Sequence, residues 1–177
     1  MEAMQGLLEP SNDLDLTEII NGEKVMPPSP FGKHQRISQR VNHAIYTFVT
    51  AKKIGEVYYS PLDVILEEGV NRVQPDLLFI RTENIDIFQD WVRGVPDMVC
   101  EIVSKGTSAK DMITKRDIYE RYGVPEYWIV IPELEMIEIL TLKDNRYELF
   151  SYAECTGVVK SRVIDGLEID VKEIFSP

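Results

Sequence analysis

The chain has 177 residues, 44% hydrophobic and 28% charged, and its 19 basic against 30 acidic side chains give a net charge of −11. These values suit one globular domain over residues 1–177, large enough for a real core, with residues 1–12 as a loose tail. They exclude a membrane helix, since no apolar run nears the ~20 residues one needs, and argue against broad non-specific affinity for nucleic acid.

In chain order, the opening "MEAMQGLLEP" is acidic and lacks a basic n-region, so no secretory signal is expected. "LTEIINGEKVMP" reads as two short strands around an Asn21-Gly22 turn. Strand parity puts Glu18 on one face with Leu16 and Ile20, an odd place for an acid. "PPSP" breaks the pattern and leads into a helix from about Phe31 to Lys53, with Ile37, Val41, Ile45 and Phe48/Val49 at helical spacing. Gly55 reads as its stop. From Lys33 to Lys53 there are five Lys or Arg and no acid. That stretch is either a solvated helix face or a local surface for phosphates. His34, one turn before Ile37, could meet phosphate, orient water or cap the helix.

"EVYYS", "DVILEE" and "PDLLFI" read as strands, and residues 81–94 as a short helix or loop carrying Trp91. "DMVCEIVS" is a nearly continuous apolar strand, the pattern of one buried on both faces. Cys100 falls inside it as a reduced buried thiol; with Cys155 it is too little for a disulfide framework, so a cytoplasmic protein is expected. Ser108 and Asp111 fit a capping box for a helix to about Tyr122, which Gly123 ends and Pro125 blocks. "EYWIVI" is another buried strand, "MIEILTL" and "RYELFSY" form a hairpin around Lys143-Asp-Asn145, and "GLEIDVKEIF" ends the chain as a short strand or helical turn. The order predicts an α/β (α+β) domain with a mixed sheet.

Glu101 lies within the apolar run of its strand, where charges rarely go unpartnered. Asp97 shares its parity but sits four residues away, about 13 Å along the strand, too far to share an ion bound at ~2–2.6 Å. Asp76 opens a different strand. If that strand neighbours Glu101's, the backbones are about 4.8 Å apart and the two carboxylates can converge. A divalent ion would then relieve the buried charge; a structural ion pair or a capped carboxylate would serve as well. Phosphoryl chemistry also wants a cation nearby. Two residues after Glu101 stands Val103, which cannot supply one. Asp111, Lys115 and Tyr119 step by four along the next helix, so Lys115 is the candidate, with a plain Asp111–Lys115 surface pair as the alternative.

Together, "LTEIINGEKVMPPSPFGKHQRI", "VQPDLLFI", "PDMVCEIVS", "KRDIYERYGVPEYWIVIPE" and "GLEIDV" resemble the Uma2 family (DUF820) of endonucleases with the PD-(D/E)xK, restriction-endonuclease-like fold. The resemblance runs in order from about residue 16 to 175. It implies a restriction-endonuclease-like mixed β-sheet core flanked by helices. It also implies Asp76 as the Asp of the PD motif, Glu101 as the acid of the E-x-K strand, and Lys115 as the lysine moved to the following helix, since Val103 occupies its usual place. Glu18 matches an early family acid and a third possible metal ligand. His34 matches the "HQRI" position, and the Ile102 carbonyl is a further ligand to the metal. Ser104-Lys105-Gly106-Thr107 stands where relatives show Ser-Pro-Ser-Thr. The expected cofactor is Mg2+ or Mn2+, the expected substrate DNA and the expected assembly a homodimer. The competing readings are a catalytically inactive binding or assembly module, and a metal hydrolase of small phosphate esters.

Overall fold

The computed structural model describes residues 16–27, 29–104 and 109–176, the side chains of 109–111 excepted. The tail expected over 1–12, Ser108 and the Asp111 side chain lie outside them. Among the described residues there are three α-helices and three sheets, and none of the helices is long and apolar enough to cross a membrane.

The Asn21-Gly22 turn joins β1 (Glu18–Ile20) to β2 (Glu23–Val25), both its residues taking positive φ. Helix α1 (Gly32–Lys52) follows. Then come β3 (Gly55–Tyr59), β4 (Val64–Glu67), β5 (Asn71–Val73) and β6 (Leu77–Arg81). The ambiguous stretch becomes a 3-10 turn over Thr82–Ile87 and the two-residue β7 (Val92–Arg93). Next are β8 (Met98–Ile102), α2 (Ala109–Tyr122), β9 (Glu126–Ile131), β10 (Met136–Lys143) and β11 (Arg146–Glu154). The predicted hairpin is present, with Asp144 and Asn145 both at positive φ. The C-terminal segment is both of the expected alternatives in succession: β12 (Val158–Lys160) and β13 (Glu168–Asp170) pair, and α3 (Val171–Phe175) follows.

Six strands form the central mixed sheet, in the order β11-β10-β9-β8-β6-β3, with β8 parallel to β9 and antiparallel to β6. A smaller sheet runs β2-β1-β5-β4-β7. Strand parity divides the central sheet's side chains between two cores. On one face Leu77, Phe79, Met98 and Cys100 meet the α1 stripe Ile37, Val41, Ile45 and Val49 and the C-terminal Ile169 and Ile174. On the other Leu78, Ile80, Val99 and Tyr127 meet Tyr119 of α2 and Val64, Val73 and Val92 of the smaller sheet. Glu101 has the parity of Val99 and so projects into this second layer.

Two expectations are corrected. Gly55 does not stop α1. Lys53 takes the left-handed conformation at φ 55°, and the Ile54 N–H reaches back to the Val49 carbonyl. Gly55 instead opens β3, where a Cβ would lie 2.2 Å from the Ile80 carbonyl oxygen, so close pairing with β6 demands glycine. Leu16 does not share the buried surroundings of Glu18: the leucine is exposed and the acid buried.

Candidate active site

The β6–β8 ladder pairs Leu77 with Cys100 and Leu78 with Val99. Continuing that register by one residue sets Asp76 opposite Glu101. Beyond Leu77 no β6 residue is left to bond the β8 backbone, and the Asp76 side chain takes over. Its Oδ2 accepts the Ile102 N–H at 2.7 Å. The same oxygen lies 3.1 Å from Nε2 of His34, which the first turn of α1 buries against the sheet. His34 therefore neither caps its helix nor faces solvent, and its Nδ1 is buried without a hydrogen-bond partner among the described residues.

Glu101 meets α2. Lys115 and Tyr119, one turn apart on the same helix face, both donate to its Oε1, the ammonium at 3.0 Å and the hydroxyl at 2.6 Å. Lys115 also lies 3.0 Å from Oε1 of Glu18, which β1 brings in from the smaller sheet. That Glu18 oxygen accepts the Gln74 N–H at 2.8 Å, two residues before Asp76. The ammonium is thus a bridge between two acids. Val103 carries no cation and joins the sheet instead, giving its N–H to the Val130 carbonyl at 2.8 Å. Asp97, set aside on distance, is a structural acid that accepts the Arg81 N–H and the Asn84 side-chain amide.

Chain topology therefore brings Glu18, His34, Asp76, Glu101, Ile102 and Lys115 into one linked group, drawn from β1, α1, the β6 entrance, β8 and α2. Sequence reasoning placed Tyr119 on the Lys115 face but did not assign it. Its spacing from Lys115 was the available signal; its hydroxyl contact required the α2 packing. Gln74 gave no signal, because it contributes only its backbone.

The electrostatics follow from burial. Loss of water pushes the Glu101 carboxyl up to about 7; the Lys115 charge opposes this, while Asp76 and Glu18 add to it. Burial works against the Lys115 ammonium, yet Glu101 and Glu18 together raise its pKa above the ordinary lysine value. Burial also works against charge on His34, but Asp76, Glu101 and the Ile102 backbone raise its pKa. Tyr119 is held well above the usual phenol range, by burial first and then by the neighbouring acids, so it is a hydrogen-bond donor here.

Two acids thus flank one lysine, and Asp76 lies near enough to Glu101 to raise its pKa. Among the described residues each carboxylate takes its protein contacts on a single oxygen: Oδ2 of Asp76, Oε1 of Glu101 and Oε1 of Glu18. The remaining oxygens, with the Ile102 carbonyl, are hard donors of the kind Mg2+ and Mn2+ prefer. Among the described residues, no three His, Cys, Asp or Glu side chains are already spaced to hold one ion. Asp76, Glu101 and the Ile102 carbonyl are the groups that could together hold such an ion.

The basic helix is less free than its sequence suggests. Lys33 donates to the Pro132 carbonyl at 2.9 Å and pairs with Glu133. Arg40 donates to the Ile174 and Ser176 carbonyls. Arg36, Lys52 and Lys53 remain exposed.

No curated protein matches the chain. Among solved structures it is similar to "a putative nuclease belonging to DUF820" from Anabaena variabilis, with TM-score 0.76 and 20% identity over 90% of this chain and 89% of that one. The type IIG restriction endonuclease BpuSI also matches, at TM-score 0.42 and 14% identity, over 87% of this chain but 17% of that one. The first likeness gives a nuclease-like fold. The model of the Uma2 family, described as "Putative restriction endonuclease", matches residues 2–172, and the chain belongs to that family.

Proposed function

We propose that the chain is an Mg2+- or Mn2+-dependent endonuclease that hydrolyses DNA phosphodiesters. One observation carries this reading: the Asp76 carboxylate accepts the backbone N–H of Ile102, the residue after Glu101, while the Glu101 carboxylate accepts from Lys115, so the three groups gather at one end of β8. Asp76 and Glu101 would hold the ion, with the Ile102 carbonyl as a further ligand. A bound divalent ion supplies Lewis-acid polarisation of the scissile phosphate and a more acidic water.

The chain's own groups do the rest. The Ile102 N–H and His34 fix the Asp76 carboxylate, so a free oxygen is presented in one orientation. Tyr119 and Lys115 fix Glu101 in the same way. Lys115 stays protonated at neutral pH, because its pKa is raised. It is therefore a charge donor toward the phosphate or the attacking water and not a base. Arg36, Lys52 and Lys53 on α1 offer exposed charge to a DNA backbone. Two copies of the chain would be needed to cut both strands at once.

The test is supercoiled plasmid incubated with Mg2+ or with EDTA. Cutting should require the metal and vanish in Glu101→Gln. Equal cutting by the wild type and that variant overturns the proposal.

A second reading, a binding or assembly module without activity, is favoured by Lys33 and Arg40 being engaged within the chain. It expects no divalent-ion heat in calorimetry. Micromolar Mn2+ binding that disappears in Asp76→Ala counts against it.

A further inference from the structure

The lysine of this site stands on a helix and not on the strand that holds Glu101. A strand residue is aimed by the ladder. A helical lysine reaches the site through four rotatable carbons and needs something outside its own element to aim it. Glu101 supplies one contact, but if Glu101 turns toward an ion that contact weakens. Among the described residues the other acid fixed on the ammonium is Glu18, at 3.0 Å.

Glu18 is well suited to this task. It is buried, and its Oε1 is itself held by the Gln74 N–H at 2.8 Å. Gln74 in turn is tied down through its side-chain amide, which donates to Asp63 at 2.8 Å. The β1–β5 pairing of Ile19 with Arg72 fixes the strand from which Glu18 projects. The acid therefore links the smaller sheet, the segment leading into Asp76, and the lysine. We infer that Glu18 is a positioning residue: it holds Lys115 beside the site from the smaller sheet and does not ligate the metal. The smaller sheet thereby acquires a role in catalysis. The inference rests on the nuclease reading for its catalytic consequence, but the clamp itself does not.

The experiment compares wild type with Glu18→Gln in three measurements. The first labels amines with acetic anhydride and follows Lys115 by peptide mass spectrometry, with the exposed Lys143 as internal reference. Released from Glu18, Lys115 should label several-fold faster; an unchanged rate overturns the clamp. The second measures Mn2+ affinity by calorimetry. It should stay within about twofold, whereas loss of about tenfold or more, the size expected for a lost or misoriented ligand, overturns the assignment. The third measures plasmid cutting, where kcat should fall about tenfold with KM unchanged. A rise in KM alone overturns it. Should Glu18→Gln fail to fold, Glu18→Asp retracts the carboxylate while keeping its charge and is read the same way. If the wild type neither binds Mn2+ nor cuts, the nuclease reading falls, and the labelling comparison still decides the clamp.

Discussion

Two acids sit in the central sheet under similar sequence conditions and end in opposite circumstances. Glu126 opens β9 and is completely buried, yet four donors meet it. Trp128 Nε1 and the Ser161 hydroxyl bond one oxygen at 2.7 and 2.6 Å, and the backbone N–H groups of Arg162 and Val163 bond the other at 2.7 and 3.0 Å. Glu101 lies on the adjacent strand β8, paired in register with β9, and among the described residues its two donors crowd onto one oxygen. Glu126 is a finished structural anion that stitches the 161–163 loop to the sheet. Glu101 is a half-satisfied one, surrounded by further acids and pushed up to about 7. A buried carboxylate is thus no sign of function in itself; what distinguishes a site is capacity left over after the protein's own donors are counted.

The largest expected effect tests the structural member of this pair. Glu126→Ala leaves four buried donors without an acceptor and should lower stability by about 3–5 kcal/mol in urea denaturation. A loss under about 1 kcal/mol would mean that water or a shifted loop replaces the carboxylate, and the contrast with Glu101 would shrink accordingly. Glu101→Gln should do the reverse. Plasmid cutting should fall at least 100-fold, about 3 kcal/mol of barrier, while the urea midpoint at pH 8 stays level or rises. A variant that loses both activity and fold would make Glu101 another structural acid.

Metal binding sharpens the same contrast. An ion that binds only the native state at 100 times its Kd stabilises by about 2.7 kcal/mol. Mn2+ should therefore raise the stability of the wild type and of a Glu126 variant that still folds. It should leave Asp76→Ala unmoved. Equal stabilisation of Asp76→Ala would place the ion elsewhere on this acidic surface.

These paired acids also mark how far the sequence can be read. Asp76 and Glu101 were legible because strand spacing is fixed: if "PDLLFI" and "DMVCEIVS" are neighbours, their acids meet, and the β6–β8 register makes them neighbours. Lys115 was legible as a helix-face position, though its second partner Glu18 was visible only as an acid of odd parity. Glu126 was passed over in "EYWIVI", although the reasoning applied to Glu101 holds for it equally. Its donors Ser161, Arg162 and Val163 lie 35 or more positions away, and nothing in the local pattern announces them. The same limit hid β5 and β12, three-residue strands too short to show a period. Gly55 carried the right residue and the wrong reason. A helix stop and a close strand approach both call for glycine, and only the Ile80 carbonyl separates them.

The smallest effect is the most specific to the site. Glu101 has a folded pKa near 7, above its unfolded value, so the native state holds a proton there that the unfolded chain has released. Its penalty is absent below the unfolded pKa, and stability falls as pH rises toward 7, then levels off. His34 adds to the fall: its raised pKa means that stability present below about 6.5 is lost as pH climbs through the folded value. Lys115 contributes nothing to the slope in this window, because its raised pKa keeps its loss of stability on the alkaline side. The metal-free wild type should therefore lose on the order of 2 kcal/mol more than Glu101→Gln between pH 5.5 and 8, measured by urea denaturation with EDTA present. The residual slope of the variant reports His34 and should flatten further when His34→Gln is added. Glu126→Gln offers the control: its four donors use both carboxylate oxygens, so the substitution should lower the whole stability curve. Saturating Mn2+ should reverse the sign for the wild type, since a cation selects the ionised carboxylate and its binding tightens as the proton leaves. Parallel curves for wild type and Glu101→Gln in EDTA would show that Lys115 and Tyr119 satisfy this acid as completely as four donors satisfy Glu126, and the distinction between the two sites would be lost.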